Sequence, residues 1–167
     1  MRRGKHIRRR GLSMMEVVIA TAIIGMVVVG GLNAAGQSAR TATATKDRAT
    51  AAWLADSLLA EMMAKPAFSD AGLGREGSEG SQTRSQWDDV NDYYPWFSPS
   101  PVDENGDAIP GTDGLARVAS VQYANPTNLN SRSTVENDAI VLTVSVRRGT
   151  TTLATRYAVR TRAGADQ

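Results

Sequence analysis

Three acidic side chains lie close enough in the sequence for general acid–base chemistry: Asp88, Asp89 and Asp92. Such chemistry requires a carboxyl group held beside a matching acid or base. The Gly, Ser, Asp and Pro residues around them predict a loop, and the single histidine, His6, lies far away in the sequence. The sequence also contains no cysteine, no P-loop and no Gly-x-Ser-x-Gly motif. We therefore find no catalytic constellation and do not expect an enzyme.

A second group of oxygen-bearing residues has the spacing of a metal loop. Asp103, Asn105 and Asp107 occupy alternate positions, as ligands do at the start of a calcium loop. The pattern then departs from the EF-hand, because Ala108 replaces its glycine and Gly114 replaces its bidentate glutamate. A solvated turn is the simpler prediction, and these three residues are weak candidates for a metal site.

The carboxylate of Glu16 has the most unusual setting, near the start of an apolar run from Met14 to Leu32. Nineteen residues in a helix are about 28 Å long, which matches the hydrocarbon thickness of a bilayer. A carboxylate in hydrocarbon costs roughly 2.5 kcal/mol or more, so Glu16 requires a partner. The run predicts a membrane-spanning helix, and glycines within it offer flat surfaces to neighbouring helices: Gly25, Gly30 and Gly31.

The flanking charges predict the orientation of this helix. Residues 1–11 carry six basic side chains, whereas Arg40, Lys46 and Arg48 follow the helix more distantly and Asp47 offsets one of them. The positive-inside rule places the N-terminus in the cytoplasm. Removal of residues 1–11 would change the net charge from +2 to −4. The basic composition is therefore a targeting feature, and we expect no nucleic-acid partner.

Three interpretations of this N-terminus remain open. A conventional secretory signal would be cleaved at a small-residue site such as Ala34-Ala35-Gly36, but its apolar region is usually shorter. An uncleaved signal anchor would hold an unrelated domain at the membrane. A pilin-type signal accounts for Gly11, the apolar segment after it and Glu16 at their observed spacing.

The residues from Gly11 to Glu16 resemble the class III signal of type IV pilins and type II secretion pseudopilins. The resemblance implies that a prepilin peptidase cleaves after Gly11 and methylates the new N-terminus at Leu12. Glu16 would then be the fifth residue and pair with the N-terminal amine of an adjacent subunit during assembly. Leu12 replaces the usual phenylalanine. Asn33 replaces a proline common in major pilins, which indicates a minor subunit.

The helix is predicted to continue beyond the apolar run and to end before Pro66, because residues 34–65 contain no proline. Apolar doublets recur at helical spacing in its last part, and we expect them to pack in a core. This stretch also resembles the corresponding helix of I-type minor pseudopilins. The doublets are Trp53-Leu54, Leu58-Leu59 and Met62-Met63.

The remainder predicts a small antiparallel sheet after a loop-rich segment. Residues 67–113 have net charge −8 and residues 114–167 have +4, so they are either solvated separately or attract each other or a neighbouring subunit. A short strand is expected near Tyr93–Phe97, and three strands follow: residues 115–123, 140–147 and 153–160. In the second, Ile140, Leu142, Val144 and Val146 alternate with Val141, Thr143, Ser145 and Arg147; in the third, Leu153, Tyr157 and Val159 alternate with Ala154, Arg156 and Arg160. One face of this hairpin is apolar enough to receive the helix. The expected apolar anchors of the loops are Trp87, Tyr93, Tyr94, Trp96 and Phe97.

The expected fold class is α+β, with a long N-terminal helix packed on a small antiparallel sheet as in pilins. The expected segments are a leader (1–11), a transmembrane helix (12–33), the extracytoplasmic half of the helix (34–65) and a globular head (66–167), loop-rich over 66–113 and antiparallel strands over 114–167. We expect no cofactor, with calcium as the one candidate ion.

The resemblance implies a minor pseudopilin at the tip of a type II secretion pseudopilus, supporting protein export. It would cross the bacterial inner membrane once, with its head in the periplasm. Its partners would be other pseudopilins or pilins and prepilin peptidase. The alternatives are a minor pilin of a type IV pilus, serving adhesion, motility or DNA uptake, and a membrane-anchored binding module.

Overall fold

The structure, a computed structural model, describes residues 13–68, 72–77 and 82–162. The chain divides into two compact units, one ending at Ala44 and one beginning at Thr45. The described residues form one α-helix and five β-strands in a single antiparallel sheet. The predicted α+β class is confirmed.

Helix α1 extends from Met14 to Ala64 and ends two residues before Pro66, close to the predicted end. Every described residue up to Ala44 is exposed, including the valines and isoleucines of the apolar run. Among the described residues, α1 alone is long and apolar enough to cross a bilayer. The apolar helix predicted from the sequence is therefore present, and it has the composition of a membrane anchor.

The last four turns of α1 contribute one face to the core of the second unit. Trp53 and Met63, predicted to be core residues, are 56% and 41% exposed, so that prediction is wrong for them. A helix turns by 3.6 residues, so one member of each apolar doublet faces the core while its neighbour turns towards the rim. The buried positions follow the i, i+3, i+4, i+7 pattern: Ala51, Leu54, Ala55, Leu58 and Met62.

The sheet has the strand order β1–β2–β4–β5, and β3 pairs with the far end of β2. All pairings are antiparallel. The sequence did not predict β3, because its exposed polar residues lack apolar alternation. The strands are β1 (Trp96–Ser98), β2 (Leu115–Asn125), β3 (Asn128–Ser133), β4 (Ala139–Arg148) and β5 (Thr151–Thr161).

The inner face of the sheet packs against α1 through alternate residues of the two central strands. The register opposes Val144 of β4 to Ala119 of β2 and to Arg156 of β5. The predicted inner residues of β4 are all fully buried: Ile140, Leu142, Val144 and Val146. Each fully buried aliphatic side chain contributes roughly 1.5–3 kcal/mol.

Strand β5 departs from its predicted orientation. Its apolar residues Leu153, Tyr157 and Val159 were expected to share one face. Leu153 packs against the core, but Tyr157 and Val159 lie on the opposite face and are 66% and 42% exposed. The core-facing positions include Arg156 and Arg160 instead. Arg156 binds Asp56 of α1, and Arg160 donates to the carbonyl of Lys65, the residue that follows α1. A basic residue at a sheet edge can extend past the core, which period-two counting does not reveal.

The described residues of the loop-rich segment form two 3₁₀ turns, Arg84–Gln86 and Asn91–Tyr93. Among the predicted anchors, Trp87, Tyr93 and Trp96 are buried, Tyr94 is half-buried and Phe97 is 52% exposed. The rings of Trp87 and Tyr93 meet edge to face at 4.8 Å. Most of these aromatic residues therefore serve the core, as the sequence predicted.

Candidate functional site

The start of α1 is organised by a reciprocal capping box. Ser13 precedes the helix, and its Oγ accepts a hydrogen bond from the backbone N–H of Glu16 at 3.2 Å. The Glu16 carboxylate accepts in return from the backbone N–H of Ser13 at 3.4 Å. This Ser-x-x-Glu motif satisfies backbone donors at a helix start that have no intrahelical partner. The acidic residue singled out in the sequence therefore also has a local structural role.

The apolar part of α1 contains few exposed polar groups. The Thr21 hydroxyl lies within 3.0 Å of the carbonyls of Val17 and Val18, so this hydroxyl is satisfied within the helix. A Cβ added to Gly25 or Gly30 would meet no atom within 4 Å. Neither glycine is required by packing within the described chain, and both leave the backbone open to a neighbouring helix.

A buried ionic cluster connects the other end of α1 to the loops. Arg84, 5% exposed, binds both carboxylate oxygens of Glu61 at 2.8 and 3.2 Å. The Tyr93 hydroxyl donates to the same carboxylate at 2.7 Å. Arg84 also donates to the carbonyl of Val102 at 3.0 Å. Burial, and then the hydrogen bond to Glu61, raise the pKa of Tyr93 well above its ordinary value.

Arg117 adds a second positive charge to this cluster. Its side chain is 1% exposed, donates to the Val102 carbonyl, and leaves its Nε without a hydrogen-bond partner. The guanidinium groups of Arg84 and Arg117 lie 4.7 and 5.5 Å from the centroid of the Trp96 ring. Burial, and then repulsion from Arg84, lower the pKa of Arg117 to about 10, which leaves it charged at neutral pH.

The sequence patterns did not predict this cluster. Glu61 lies between apolar doublets of α1 without belonging to one, and Arg84 contributes only to the net charge of residues 67–113. Arg117 occupies an inward position of β2 between Leu115 and Ala119, both buried. A charged residue at an inward position of an alternating strand could have indicated the cluster, because a buried charge requires a partner.

The three clustered aspartates do come together. One oxygen of each of Asp88, Asp89 and Asp92 lies within 4.8 Å of the others, and the last two residues are buried. Asp89 accepts the backbone N–H of Asn91 at 2.6 Å, and Asp92 accepts that of Asp89 at 3.3 Å. These bonds shape the turn, and no histidine of the described residues belongs to the cluster.

The weak metal candidates form a self-contained turn. Oδ1 of Asp103 accepts hydrogen bonds from the backbone N–H groups of Asn105 and Asp107, both at 2.9 Å. The predicted solvated turn accounts for these contacts. Gly11 and Leu12, the predicted cleavage and methylation positions, lie outside the described residues.

A long, apolar N-terminal helix that continues into an α+β unit fits the pilin-like class of proteins. The chain is similar to the type II secretion system protein I of Pseudomonas aeruginosa, with 31% identity over 80 residues. That stretch covers 48% of this chain and 62% of the relative's length. No family model matches the chain, and no solved structure matches it. The resemblance to type II secretion pseudopilins is therefore confirmed.

Proposed function

We propose that this chain is a minor pseudopilin that assembles into the pseudopilus of a type II secretion system. The observation that carries the proposal is the similarity to type II secretion system protein I in a chain whose α1 has Glu16 in its first turn. The chain would be anchored in the inner membrane with its α+β unit in the periplasm. Near the filament tip it would support protein export.

The chemistry of assembly follows from the first turn of α1. Cleavage after Gly11 would create a free amine at Leu12, and a neighbouring subunit would present its own amine to Glu16. In hydrocarbon an ammonium and a carboxylate compensate each other, whereas removing one partner of a buried pair costs about 3–5 kcal/mol. Such a loss corresponds to more than about a hundredfold in an association constant. Glu16 would therefore control incorporation more strongly than membrane insertion.

The first experiment is the intact mass and N-terminal sequence of the protein extracted from membranes of a host with its prepilin peptidase. The expected product begins at Leu12 and carries one added methyl group. An uncleaved N-terminus would indicate an anchored binding module, and a start at Gln37 would indicate a secreted soluble protein. Gly11→Val should prevent processing, and Glu16→Ala should leave it intact.

The capping box calls for a matched pair of variants at Glu16. Glu16→Gln keeps the side-chain acceptor for the Ser13 N–H and removes the charge, whereas Glu16→Ala removes both. If charge pairing drives assembly, both variants insert into the membrane and neither co-purifies with its partner subunits. If Glu16→Gln assembles normally while Glu16→Ala does not, the residue acts through the helix cap and the pairing role is wrong.

Co-purification also separates this function from its closest alternative. A type II secretion subunit should be recovered with the other pseudopilins of that system. Recovery with type IV pilus subunits would make it a minor pilin instead.

A further inference from the structure

Strand β5 forms one edge of the sheet. It pairs with β4 along one side, and no other described strand pairs with its second side. None of its eleven residues is buried, whereas β4 is mostly buried. A free sheet edge presents unpaired backbone N–H and C=O groups, which can pair with a strand of another chain.

The hydrogen bonding at the end of β5 identifies which groups point outward. The backbone N–H of Arg162 donates to the carbonyl of Asp138 at 2.8 Å, which continues the register of Ala139 opposite Thr161. In a strand, the N–H and C=O of one residue point to the same side, and successive residues alternate. The register is regular from Ala139 to Val146, so the groups that face away from β4 belong to Thr155, Tyr157, Val159 and Thr161.

This edge lacks the usual protection against pairing. The segment from Ala154 to Thr161 contains no proline, glycine or lysine, and the register irregularity of β5 lies just before it, at Leu153, opposite Val146 and Arg147. The two charged side chains do not cover the edge, because Arg156 is held by Asp56 of α1 and Arg160 by the carbonyl of Lys65, just after α1. β-Branched and aromatic residues on the other face are typical of paired strands.

We propose that the outer edge of β5 accepts an extended strand of a different subunit, which carries acidic side chains on the face towards α1. Arg156 and Arg160 are the charged residues of β5, and β5 contains no acid. A second copy of β5 would bring these arginines near their own counterparts, and like charges across strands are destabilising. An acidic strand adds attraction at the same positions. Calling the partner a subunit rests on the proposed function; the edge geometry does not.

Proline at an outward position tests the proposal without breaking a bond of the β4–β5 hairpin. Val159→Pro removes a backbone N–H that points away from β4, and proline is tolerated at such edge positions. Val159→Thr is the matched control, because it retains the N–H and the β-branched shape. Both variants should unfold in urea at nearly the same concentration as the native chain.

One arm of the experiment uses a synthetic probe, so it does not depend on the pseudopilus. The detergent-solubilised full chain is titrated with the peptide Glu-Thr-Glu-Val-Glu-Thr-Glu and with a version in which lysine replaces every glutamate. We expect the acidic peptide to bind and to slow exchange of the outward amides by about tenfold. Binding should be lost in Val159→Pro and kept in Val159→Thr. Equal binding of the lysine peptide, or no protection of these amides, would overturn the proposal.

The second arm uses the assembly extracted from the native host. The four outward amides should exchange more slowly in the assembly than in the isolated chain, and Val159→Pro should lower recovery of partner subunits. If no partner is recovered with the native chain, the proposed function fails, but the peptide titration still tests whether the edge of β5 binds an acidic strand. If partners are recovered equally with Val159→Pro and β5 is unprotected, the edge proposal fails alone.

Discussion

Glu61 joins α1 to both 3₁₀ turns through a single carboxylate. It accepts hydrogen bonds from Arg84 and Tyr93, and it faces the additional charge of Arg117. Removing the negative charge would leave two buried guanidinium groups uncompensated. We expect Glu61→Gln to lower the free energy of unfolding by about 3–5 kcal/mol. The measurement is urea unfolding of the detergent-solubilised chain, followed by tryptophan fluorescence.

The exposed pair between Asp56 and Arg156 is the control for this prediction. Its side chains are 57% and 39% exposed, so the interaction is screened by water. Asp56→Asn should change the free energy of unfolding by less than about 1 kcal/mol. Equal losses of unfolding free energy in Asp56→Asn and Glu61→Gln would show that the buried cluster contributes no more to stability than the exposed ion pair.

The raised pKa of Tyr93 predicts how the stability of the fold changes at alkaline pH. Its pKa is raised by burial and by Glu61, so above pH 10 the unfolded chain loses a proton that the folded chain retains. Stability from this group is present below that pH and is lost as pH rises. Arg117 acts oppositely, because its lowered pKa of about 10 makes the folded chain release a proton first. Tyr93→Phe should therefore flatten the stability loss between pH 10 and 11, measured by urea unfolding; an unchanged slope would contradict the Tyr93 contribution.

At the scale of elements, the packing of α1 predicts a sharp contrast between neighbouring side chains. Leu58 is fully buried and Met63 is 41% exposed, although both belong to apolar doublets. Leu58→Ala should cost about 2–5 kcal/mol, because it leaves a cavity in the core. Met63→Ala should cost less than about 1 kcal/mol, since alanine also favours the helix. Urea unfolding of both variants tests which face of α1 packs in the core. A larger loss of unfolding free energy in Met63→Ala than in Leu58→Ala would contradict this assignment.

The elements that sequence reasoning predicted well are those whose pattern is set by a single interface. Pro66 marked the end of α1, and the alternation of β4 identified its buried side because that strand is central. β3 was missed because exposed polar residues are held there only by pairing with β2. The faces of β5 were reversed from Ala154 onwards, because an edge strand can place arginines towards Asp56 of α1 and the Lys65 carbonyl just after it. The side chains of the Glu61 cluster are separated in the sequence, and only the fold brings residues 61, 84 and 117 together.

At the scale of the whole molecule, the uneven charge of the chain predicts its orientation in the membrane. Six basic side chains precede α1, and removing them would leave a chain of net charge −4. The sequence contains no cysteine, so any introduced cysteine reports on one position alone. Thr150, exposed in the turn between β4 and β5, can report on the α+β unit. Lys5 can report on the N-terminal segment when Gly11→Val prevents its removal.

The expected outcome is opposite labelling of these two positions by a membrane-impermeant maleimide. Thr150→Cys should react in intact spheroplasts, because the positive-inside rule places it outside the cytoplasm. Lys5→Cys, combined with Gly11→Val, should react only after lysis. Ala124→Cys, at a fully buried position, should react only in denaturant and so controls for loss of the fold. Labelling of Lys5→Cys before lysis, with Thr150→Cys protected, would invert the orientation and place the Glu61 cluster and the β5 edge in the cytoplasm.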